Sequence, residues 1–569
     1  MRPQHFRSLA FALGTGTALI ASPVPAADVT PERLVNANNE PQNWLMNHRT
    51  YDGQRFSPLA RINKDNVKNL KLAYAVALGG ASGDEWTEAT PLVEDGFIYV
   101  TDSWGALYKI DGRSGDAGHI IWRMDPKQEK QENNRGAALW GNLVISPANR
   151  PARLVATDKE TGKVVWETNM VFGQEATRLT AAPLVIKDKI IVGASGGDAG
   201  VRDWLAALDA ATGKVLWRKF TIPAPGEPGS ETWKDNNNAW QTGGGAIWVT
   251  GTYDPDTNQT VWGAGNPVPM FDPTYRPGDN LFTNSAISWD PDTGKMDWYF
   301  QYTPGDMWDF DEVGTHILID SEVAGQQRKL ITHSARNGFL YTMDRSNGQI
   351  IGAKPYVQVS WTKGIDQKTG KPIDYDPAKD VQTYAGVGNL TPGAPLKSVC
   401  PSFNGGNNFF PSSYSLRTKL IYIPAYTSCS TVGIDRTKHS AERGWNGGYT
   451  TSERFESALV AVDPVTQEIK KSVPLPYPNA AGALSTAGGL VFTALLDGTV
   501  AAFDDTTLAE LWKMNLGTYF KAPPMTFEVD GRQYLAIISG GGVSARRRLT
   551  NTPELKDERN AMVLYVFGL

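Results

Sequence analysis

One phrase recurs along the 569-residue chain and limits its fold more than any other feature. Apolar residues lead into an aspartate, then Ser, Thr or Asn and a glycine follow, and an apolar stretch that often ends in tryptophan comes next. Because aspartate can accept hydrogen bonds from a turn and glycine can take a positive φ, each copy predicts two strands joined by a turn. The copies are found at Asp111, Asp158, Asp209 and Asp290 and, in weaker form, at Asp344, Asp463 and Asp504.

The spacing of these copies is typical of propeller blades. It is 47 residues from 111 to 158, 51 from 158 to 209, 54 from 290 to 344 and 41 from 463 to 504. The intervals of 81 (209 to 290) and 119 (344 to 463) leave room for an extra blade or for large loops. With segment 61–78 left to help close the ring, we predict an all-β, eight-bladed β-propeller of four-stranded blades. The recurring tryptophans should pack between adjacent blades.

The N-terminus has the layout of a cleaved secretory signal. Arg2 and Arg7 precede an apolar run, which ends in small residues at Ala26 and Ala27. We therefore expect a signal peptide over 1–27, cleavage near Ala27/Asp28, a periplasmic location and one propeller domain over 28–569. No later stretch approaches the roughly 18 uncharged apolar residues of a transmembrane helix, so no membrane span is expected.

Charge and cysteine content exclude some partners and cofactors. The net charge is −5 and no Lys/Arg block stands out, which argues against a nucleic-acid partner. Neither Cys400 nor Cys429 lies in a CxxCH motif, so a c-type haem cannot attach in the usual way and such an electron acceptor must be separate. In an exported protein these thiols would most simply form one disulfide, closing a loop of about 30 residues, although two buried free thiols are the alternative.

Several segments outside the repeats carry candidate site residues. Within GDMWDFDEVG, Asp309 and Asp311 would share one face of an extended segment, and two such carboxylates repel unless a proton or cation lies between them. Asn266 offers a neutral oxygen suited to a hard cation. Asp198 lies within the glycine-rich ASGGDAG, where a backbone could approach a planar ligand. A solvated acidic loop and ordinary turns are the alternatives, and no serine-hydrolase, phosphate-loop or zinc motif is present.

Together these segments resemble the quinoprotein alcohol dehydrogenases, which use pyrroloquinoline quinone (PQQ). The resemblance covers nearly the whole mature chain, and its motifs follow one order: the WxxNxxTYDGQRFSPLxxI opening, the blade phrase, TEATPL, NRGAA, GASGGDAGVR, GGGAIW, GAGNP, DMWDFD, ARNGFLYTMDR, CPSFNGGNN, LSTAGGLVFT and DGRQYLAI. It implies an enzyme that oxidises an alcohol by transferring hydride to metal-bound PQQ and passes electrons to a separate cytochrome c or a similar acceptor.

The resemblance also implies roles for individual residues. Trp248 would be the floor on which the quinone stacks, and Asp309 would be the catalytic base. The metal ligands would be Asp198, Asn266, Asp309 and Asp311. The residues implied to hold the carboxylates and carbonyls of the quinone are Glu88, Arg135, Thr180, Ser195, Gly196, Gly197, Arg336 and Asn408.

Some positions depart from the family pattern. Asp311 resembles the lanthanide-using branch, whereas Asp198 stands where the family generally has Glu, so the metal is a lanthanide or Ca²⁺ with a slight preference for the former. The vicinal cysteine pair of many members is replaced by Glu129 and Lys130, which implies a different cover for the quinone. A tryptophan of the family pattern is replaced near Ala480, and Phe409 occupies the position of a second one. These changes predict a reshaped pocket for a bulky, secondary or polyol alcohol.

Two other interpretations remain open from the sequence. A non-enzymatic propeller could act as an envelope assembly scaffold, but this does not explain why the candidate site residues occur in family order. Alternatively, an enzyme of this fold could have lost metal binding through its altered residues. The identity of the alcohol, of the acceptor and of the oligomeric state is left open.

Overall fold

The computed structural model describes residues 28–79, 86–384, 390–439, 445–452, 455–542, 552–555 and 560–569, and strands dominate it. The predicted signal peptide, residues 1–27, lies outside the described residues. An α-helix covers Pro31–Val35, and the Thr30 hydroxyl caps it by accepting a hydrogen bond from the N–H of Arg33. The 3₁₀ turns are Ala37–Asn39, Val67–Asn69, Gly197–Ala199, Ser230–Thr232, Ala239–Thr242, Arg436–Lys438 and Pro553–Leu555.

Eight sheets form the blades of a propeller, and we number them in chain order. Blade 1 consists of Leu92–Glu94, Phe97–Thr101, Leu107–Asp111 and His119–Met124. Blade 2 consists of Ala138–Trp140, Leu143–Ala148, Arg153–Asp158 and Val164–Asn169. Blade 3 consists of Leu184–Ile186, Lys189–Gly193, Trp204–Asp209 and Val215–Phe220. Blade 4 consists of Thr252–Asp254, Gln259–Gly263, Ser285–Trp289 and Met296–Gln301.

The remaining four blades follow the same antiparallel order. Blade 5 consists of Ile317–Val323, Gln326–Ser334, Phe339–Asp344 and Ile350–Pro355. Blade 6 consists of Ser413–Tyr414, Ile421–Thr427, Glu456–Val462 and Ile469–Leu475. Blade 7 consists of Ala483–Thr486, Leu490–Ala494, Thr499–Asp504 and Glu510–Asn515, with Phe56–Ser57 added in parallel. Blade 8 consists of Met525–Val529, Arg532–Ile538, Val563–Gly568 and Lys71–Ala77.

The prediction of eight four-stranded blades is confirmed, and so is the role of segment 61–78 in closing the ring. Lys71–Ala77 pairs antiparallel with Val563–Gly568, so blade 8 contains strands from both ends of the chain. The long intervals in the repeat hold loops rather than an extra blade, because Asp209 and Asp290 lie in consecutive blades. The longer interval also contains a small three-stranded sheet of Leu396–Val399, Ser430–Ile434 and Gly448–Ser452.

The recurring phrase joins each blade to the next. In the turn at Asp158, the carboxylate accepts hydrogen bonds from the N–H groups of Glu160 and Thr161, as predicted. Trp122 of blade 1 lies against Gly162 of this turn and donates its indole N–H to Lys159 O at 3.0 Å. The same bond recurs at four later blade boundaries: Trp166 to Ala210 O, Trp217 to Pro291 O, Trp298 to Arg345 O and Trp512 to Leu70 O. The tryptophans therefore fix the spacing of the blades, as the sequence predicts.

A disulfide joins the insertion between blades 5 and 6 to the loop between the second and third strands of blade 6. Cys400 and Cys429 are bonded to each other, which confirms the predicted pairing and excludes the alternative of two free thiols. Within the described ranges, the structure has no helix that is long and apolar enough to cross a membrane.

Candidate active site

The predicted site residues lie in loops at one end of the blades. In an antiparallel four-stranded blade, the loop between the second and third strands emerges at the same edge as the segments that enter and leave the blade. Asp198, Asn266 and Arg336 lie in the loops between the second and third strands of blades 3, 4 and 5. Arg135 and Asp309 lie in the segments that enter blades 2 and 5. The topology therefore brings residues that are distant in sequence to one end of the ring.

Many of these residues meet at a cavity of about 370 Å³, a volume within the range of ligand sites. The predicted residues that line it are Thr180, Ser195, Gly196, Gly197, Asp198, Trp248, Asn266 and Asp311. Residues that the sequence analysis did not select also line it, namely Glu132, Asn133, Arg150, Ala176, Arg178, Ala199 and Ala246. One cavity thus combines an aromatic ring, hydroxyl groups, cations and carboxylates.

A larger groove of about 610 Å³ lies elsewhere, beside Asp111, Arg113 and Glu528. Arg113 forms an ion pair with Asp111, and both side chains are substantially exposed. The groove therefore presents solvated, paired charges and offers little for holding a reacting group. On chemical grounds the smaller cavity is the better candidate site.

Two aspartates of the acidic segment share one arginine. The Nη2 atom of Arg336 lies 3.0 Å from Asp309 Oδ2, and its Nη1 atom lies 2.5 Å from Asp311 Oδ2. The same guanidinium donates to Phe403 O from Nε and Nη2, at 2.9 and 2.6 Å, which fixes its orientation. Although burial opposes it, the two carboxylates raise the pKa of Arg336 above its usual value. Arg336 therefore lies next to the predicted base and the predicted metal ligands.

The backbone around Asp309 is held in an uncommon conformation. Asp309 has a φ of 67°, in the left-handed region that non-glycine residues seldom adopt. The buried Asp306 carboxylate accepts hydrogen bonds from the N–H groups of Trp308 and Phe310, each at 3.2 Å. Burial raises the pKa of Asp306 to about 6, while Arg276 lowers it. Asp306 thus stabilises the turn that presents Asp309.

Glu312 stabilises the loop that carries Arg336. Its carboxylate is fully buried and accepts hydrogen bonds from the N–H groups of Arg336 and Asn337, at 2.8 and 3.2 Å. It also lies 3.0 Å from His333 Nε2. His333 stacks on His316, with ring centroids 4.1 Å apart. These histidines therefore belong to the support of the Arg336 loop.

Asn266, Asp311 and Asp198 border the cavity together. The N–H of Asn266 donates to Asp311 Oδ1 at 2.8 Å, so these residues are direct neighbours. Asp198 faces the open cavity, yet many protein atoms surround it. Burial, together with the charge of Asp311, raises the pKa of Asp198 to about 7, while Arg336 lowers it. The pKa of Asp309 is raised well above its ordinary value by burial, with Arg336 opposing and Asp311 and Asp198 adding to the shift.

The charge balance here fits a bound cation. Asp198, Asp309 and Asp311 are clustered, but within the described part of the chain Arg336 is the cation that pairs with two of them, and Asp198 has no ion pair. Carboxylate and amide oxygens are the ligands that hard cations prefer. In the described ranges, however, no three His, Cys, Asp or Glu side chains stand close enough to enclose an ion as they are. Asp309 and Asp311 instead point their carboxylates at Arg336.

At the other end of the site, Trp248 lies beside a buried charge network. The Arg135 guanidinium lies over the Trp248 ring, 4.6 Å from its centroid, and donates to Trp248 O at 2.9 Å. Arg135 forms an ion pair with Glu88, whose other oxygen accepts from Lys521 Nζ at 2.5 Å. Phe409 packs nearby, with its ring 6.4 Å from that of Trp248. The sequence analysis selected Glu88 and Arg135 but missed Lys521, for which the chain offers no local motif.

Polar side chains form the wall between these two ends. The Thr180 and Ser195 hydroxyls are 3.2 Å apart and both line the cavity. In the lining of the same cavity, Glu132 Oε2 accepts hydrogen bonds from Arg150 and Arg178 at 3.0 and 3.2 Å. These three charged residues, which we call the rim cluster, were not predicted. Glu129 and Lys130, which replace the family cysteines, are exposed and do not line the cavity.

Four predicted cofactor-binding residues do not line the cavity, namely Glu88, Arg135, Arg336 and Asn408. The Asn408 side chain donates to Asn404 O at 3.0 Å and accepts from the N–H of Phe409 at 2.9 Å. Its predicted contact with a cofactor therefore stays a prediction. Conversely, the structure places an unpredicted carboxylate, Asp203, beside the site. Burial raises the pKa of Asp203 well above its ordinary value, as does the charge of Asp198.

Comparison with known proteins identifies the family. A PQQ family model described as "Glucose/ethanol/alcohol dehydrogenase, beta-propeller domain" matches residues 44–360 and 449–535. The quinohemoprotein alcohol dehydrogenase ADH-IIG of Pseudomonas putida is 35% identical, with 93% of this chain and 76% of that protein aligned. The quinoprotein alcohol dehydrogenase PedH of Pseudomonas putida is 34% identical, with 92% and 91% aligned.

A solved structure is similar over the same length. A europium-containing methanol dehydrogenase superposes with a TM-score of 0.87 at 28% identity, covering 95% of this chain and 100% of that one. The repeats, the cavity and relatives of 34% and 35% identity that align with nearly the whole chain lead to one conclusion. The chain belongs to the PQQ-dependent alcohol dehydrogenase family.

Proposed function

We propose that this protein oxidises an alcohol to an aldehyde or ketone, with PQQ and one metal ion bound in the cavity of about 370 Å³. The observation that carries this proposal is the arrangement of that cavity. It places Trp248 and two hydroxyl groups together with Asn266 and Asp311, which lie next to Arg336 and Asp309. Such a site offers a surface for a flat ring, donors for its anionic groups and oxygens for a cation.

PQQ fits the donors at the aromatic end of the cavity. Its three carboxylates require guanidinium, hydroxyl or backbone N–H donors. The Thr180 and Ser195 hydroxyls and the backbone of Gly196 and Gly197 would hold the anionic edge, and Trp248 would support the ring. Arg135 would add a positive charge beside that ring, since its guanidinium already lies over Trp248. Glu88, Arg336 and Asn408 complete the proposed binding residues.

The metal ion would be held by Asp198, Asn266, Asp309 and Asp311. We propose a lanthanide as the preferred ion and Ca²⁺ as its competitor. Asp311 supports this preference, because an added carboxylate raises the affinity for a trivalent cation more than for a divalent one. Its contact with the N–H of Asn266 supports a position at the ion.

Asp309 would act as the general base for the alcohol. Its carboxylate can accept a proton, and Arg336 at 3.0 Å stabilises the ionised form that does so. Asp309 Oδ would take the hydroxyl proton of the substrate, while the turn capped by Asp306 holds it in place. When bound, the quinone supplies a two-electron acceptor whose carbonyl the metal ion polarises.

The substrate pocket would lie beside Trp248. Phe409 and Ala480 pack into the same apolar cluster as Trp248 and Phe410, so both departures from the family pattern affect one wall. A smaller residue at 480 leaves more room, which supports a bulky, secondary or polyol alcohol as the substrate. We also propose a periplasmic location and a separate cytochrome c or similar acceptor. The pairing of both cysteines supports the separate acceptor, since neither is free to attach a haem.

The proposal is tested by dye-linked alcohol oxidation with the purified protein. The protein is reconstituted with PQQ plus La³⁺ or Ca²⁺ and supplied with alcohols from methanol to bulky secondary alcohols. We expect turnover that requires both PQQ and an ion, is faster with La³⁺ and favours the larger alcohols. Absence of turnover and of PQQ binding with either ion would refute the proposal.

A matched variant separates chemistry from folding. Asp309→Asn keeps the size of the side chain but removes the base, so we expect a loss of turnover with retained binding of PQQ. Asp505→Asn serves as the control, because Asp505 is buried but pairs with Arg417 and Lys64 away from the cavity. Equal turnover in Asp309→Asn and the control would remove Asp309 from the mechanism.

A further inference from the structure

Asp203 is a buried carboxylate that lacks the partners such a group needs. It lies directly before the third strand of blade 3 and is 0% exposed. Neither of its carboxylate oxygens accepts a hydrogen bond of acceptable geometry, although the N–H of Gly197 lies close enough to lower its pKa. Among the described residues, no Arg, Lys or His forms an ion pair with it. A buried ionised carboxylate without a counter-charge is strongly unfavourable, so Asp203 either takes up a proton or is stabilised by a nearby cation.

The carboxylate lies directly behind the turn that carries Asp198. A Cβ atom on Gly197 would come within 2.9 Å of Asp203 Oδ2, so only the backbone of Gly197 separates Asp203 from the start of that turn. Asp198 is the charged group with the largest effect on Asp203, and Asp311 also acts on it. Asp203 therefore does not line the cavity itself but lies behind Gly197, close enough to the acidic end for its charge to act on Asp198.

Backbone hydrogen bonds connect Asp203 to the other proposed metal ligands. The N–H of Asp203 donates to Gly244 O at 3.1 Å, and the N–H of Gly245 donates to Asn266 O at 3.0 Å. The N–H of Asn266 then donates to Asp311 Oδ1 at 2.8 Å. The backbone at 203 is thus connected through Gly244 and Gly245 to Asn266, and through Asn266 to Asp311.

We propose that Asp203 is a further carboxylate of the metal site and that it increases the affinity of the site for a trivalent ion. Its charge would offset the shorter arm of Asp198, which extends less far into the cavity than the glutamate of the family pattern. The inference rests on the proposed function, because it requires that the cavity bind a cation. It adds a residue to the metal site that neither the family pattern nor the repeats indicate.

Ion affinity tests this role directly. Metal-free protein saturated with PQQ is titrated with Tb³⁺, and binding is followed by the Tb³⁺ luminescence that nearby tryptophans sensitise. We expect Asp203→Asn and Asp203→Ala each to weaken Tb³⁺ binding at least roughly tenfold, as removal of a supporting residue of a metal site does. The loss should be larger for Tb³⁺ than for Ca²⁺ measured by competition. Asp505→Asn should bind Tb³⁺ like the wild type.

Thermal melting without metal gives an independent readout. Because Asp203→Asn removes a buried carboxyl group that has no hydrogen-bond partner of acceptable geometry, the metal-free variant should melt at or above the temperature of the wild type, while its stabilisation by Tb³⁺ should be smaller. A side chain that served only the packing of blade 3 would instead lower the melting temperature and leave ion affinity unchanged.

The outcomes separate this inference from the proposed function. If the wild type binds no Tb³⁺, both fail. If Asp198→Asn abolishes binding while both Asp203 variants bind Tb³⁺ like the wild type, the cavity remains the metal site and only the role of Asp203 is overturned. Weaker binding in both Asp203 variants, with normal binding in Asp505→Asn, supports the inference.

Discussion

Replacing Gly265 by alanine should disrupt the acidic end of the site without touching a charged residue. A Cβ atom at this position would overlap Asp311 Oδ1 at less than 3.0 Å, a separation that real Cβ atoms essentially never show, whereas ordinary contact begins at 3.4 Å. Gly265 does not have a positive φ, so alanine brings no backbone strain of its own. Asp311 cannot yield easily, because Arg336 and the N–H of Asn266 hold its two oxygens.

The size of the effect follows from these contacts. Relieving the overlap requires a shift of roughly 1 Å in the Asp311 carboxylate, and a misplacement of that size can cost about 100-fold in rate. Loss of the hydrogen bond from Asn266 to a charged acceptor adds about 1.5–3 kcal/mol against the arrangement. We therefore expect Gly265→Ala to lower kcat/KM about 100-fold and to weaken the binding of La³⁺.

A double-mutant cycle shows whether the effect acts through Asp311. Steady-state kcat/KM and Tb³⁺ affinity are measured for Gly265→Ala, Asp311→Ala and the double variant. In the Asp311→Ala background the added methyl meets no carboxylate, so Gly265→Ala should cost little more. Wild-type kinetics and ion affinity in Gly265→Ala, or full additivity in the double variant, would refute the reasoning.

Three further predictions concern the rest of the molecule. Trp166→Ala should lower the free energy of unfolding by about 3 kcal/mol in denaturant titrations, since it removes a ring that joins two blades, and an unchanged value would contradict that role. Lys521→Met should weaken PQQ binding at least roughly tenfold in a fluorescence titration, because the negative charge of Glu88 would then be balanced by Arg135 but no longer by Lys521. Unaltered binding would place the Glu88–Lys521 ion pair outside the cofactor site. Reduction of the disulfide between Cys400 and Cys429 should release two thiols and lower the free energy of unfolding by about 3 kcal/mol, so thiol release without loss of stability would count against it.

The fold was largely predictable because its signal is local and repeated. Each copy of the blade phrase contains its own turn, and the tryptophan that follows contacts the next copy, as Trp122 does at Gly162. Seven of the blades were predictable for the same reason, whereas the eighth carries no copy of the phrase and was predicted from segment 61–78, which was left to close the ring. What the spacing alone left open was the content of the two long intervals, because a loop and an additional blade can have the same length.

The site was predictable only where a residue belongs to a motif. Asp309, Asp311 and Asn266 lie in short segments of distinctive composition, whereas Lys521 meets Glu88 across 433 positions of the chain. Nothing near Lys521 in sequence indicates that contact. Asp203 was missed for a different reason: an aspartate before a strand is usually a solvated turn residue, and only the packing of blade 3 against its loop reveals that it is buried.

The closure of blade 8 also determines when one ion pair beside the site can form during synthesis of the chain. Glu88 enters blade 1 and Lys521 enters blade 8, so their ion pair crosses the seam at which Lys71–Ala77 meets Val563–Gly568. A growing chain that has not yet reached Val563 lacks the strand that holds this seam together. The ion pair between Glu88 and Lys521 can therefore form only late in synthesis, after all the residues that line the cavity have been made.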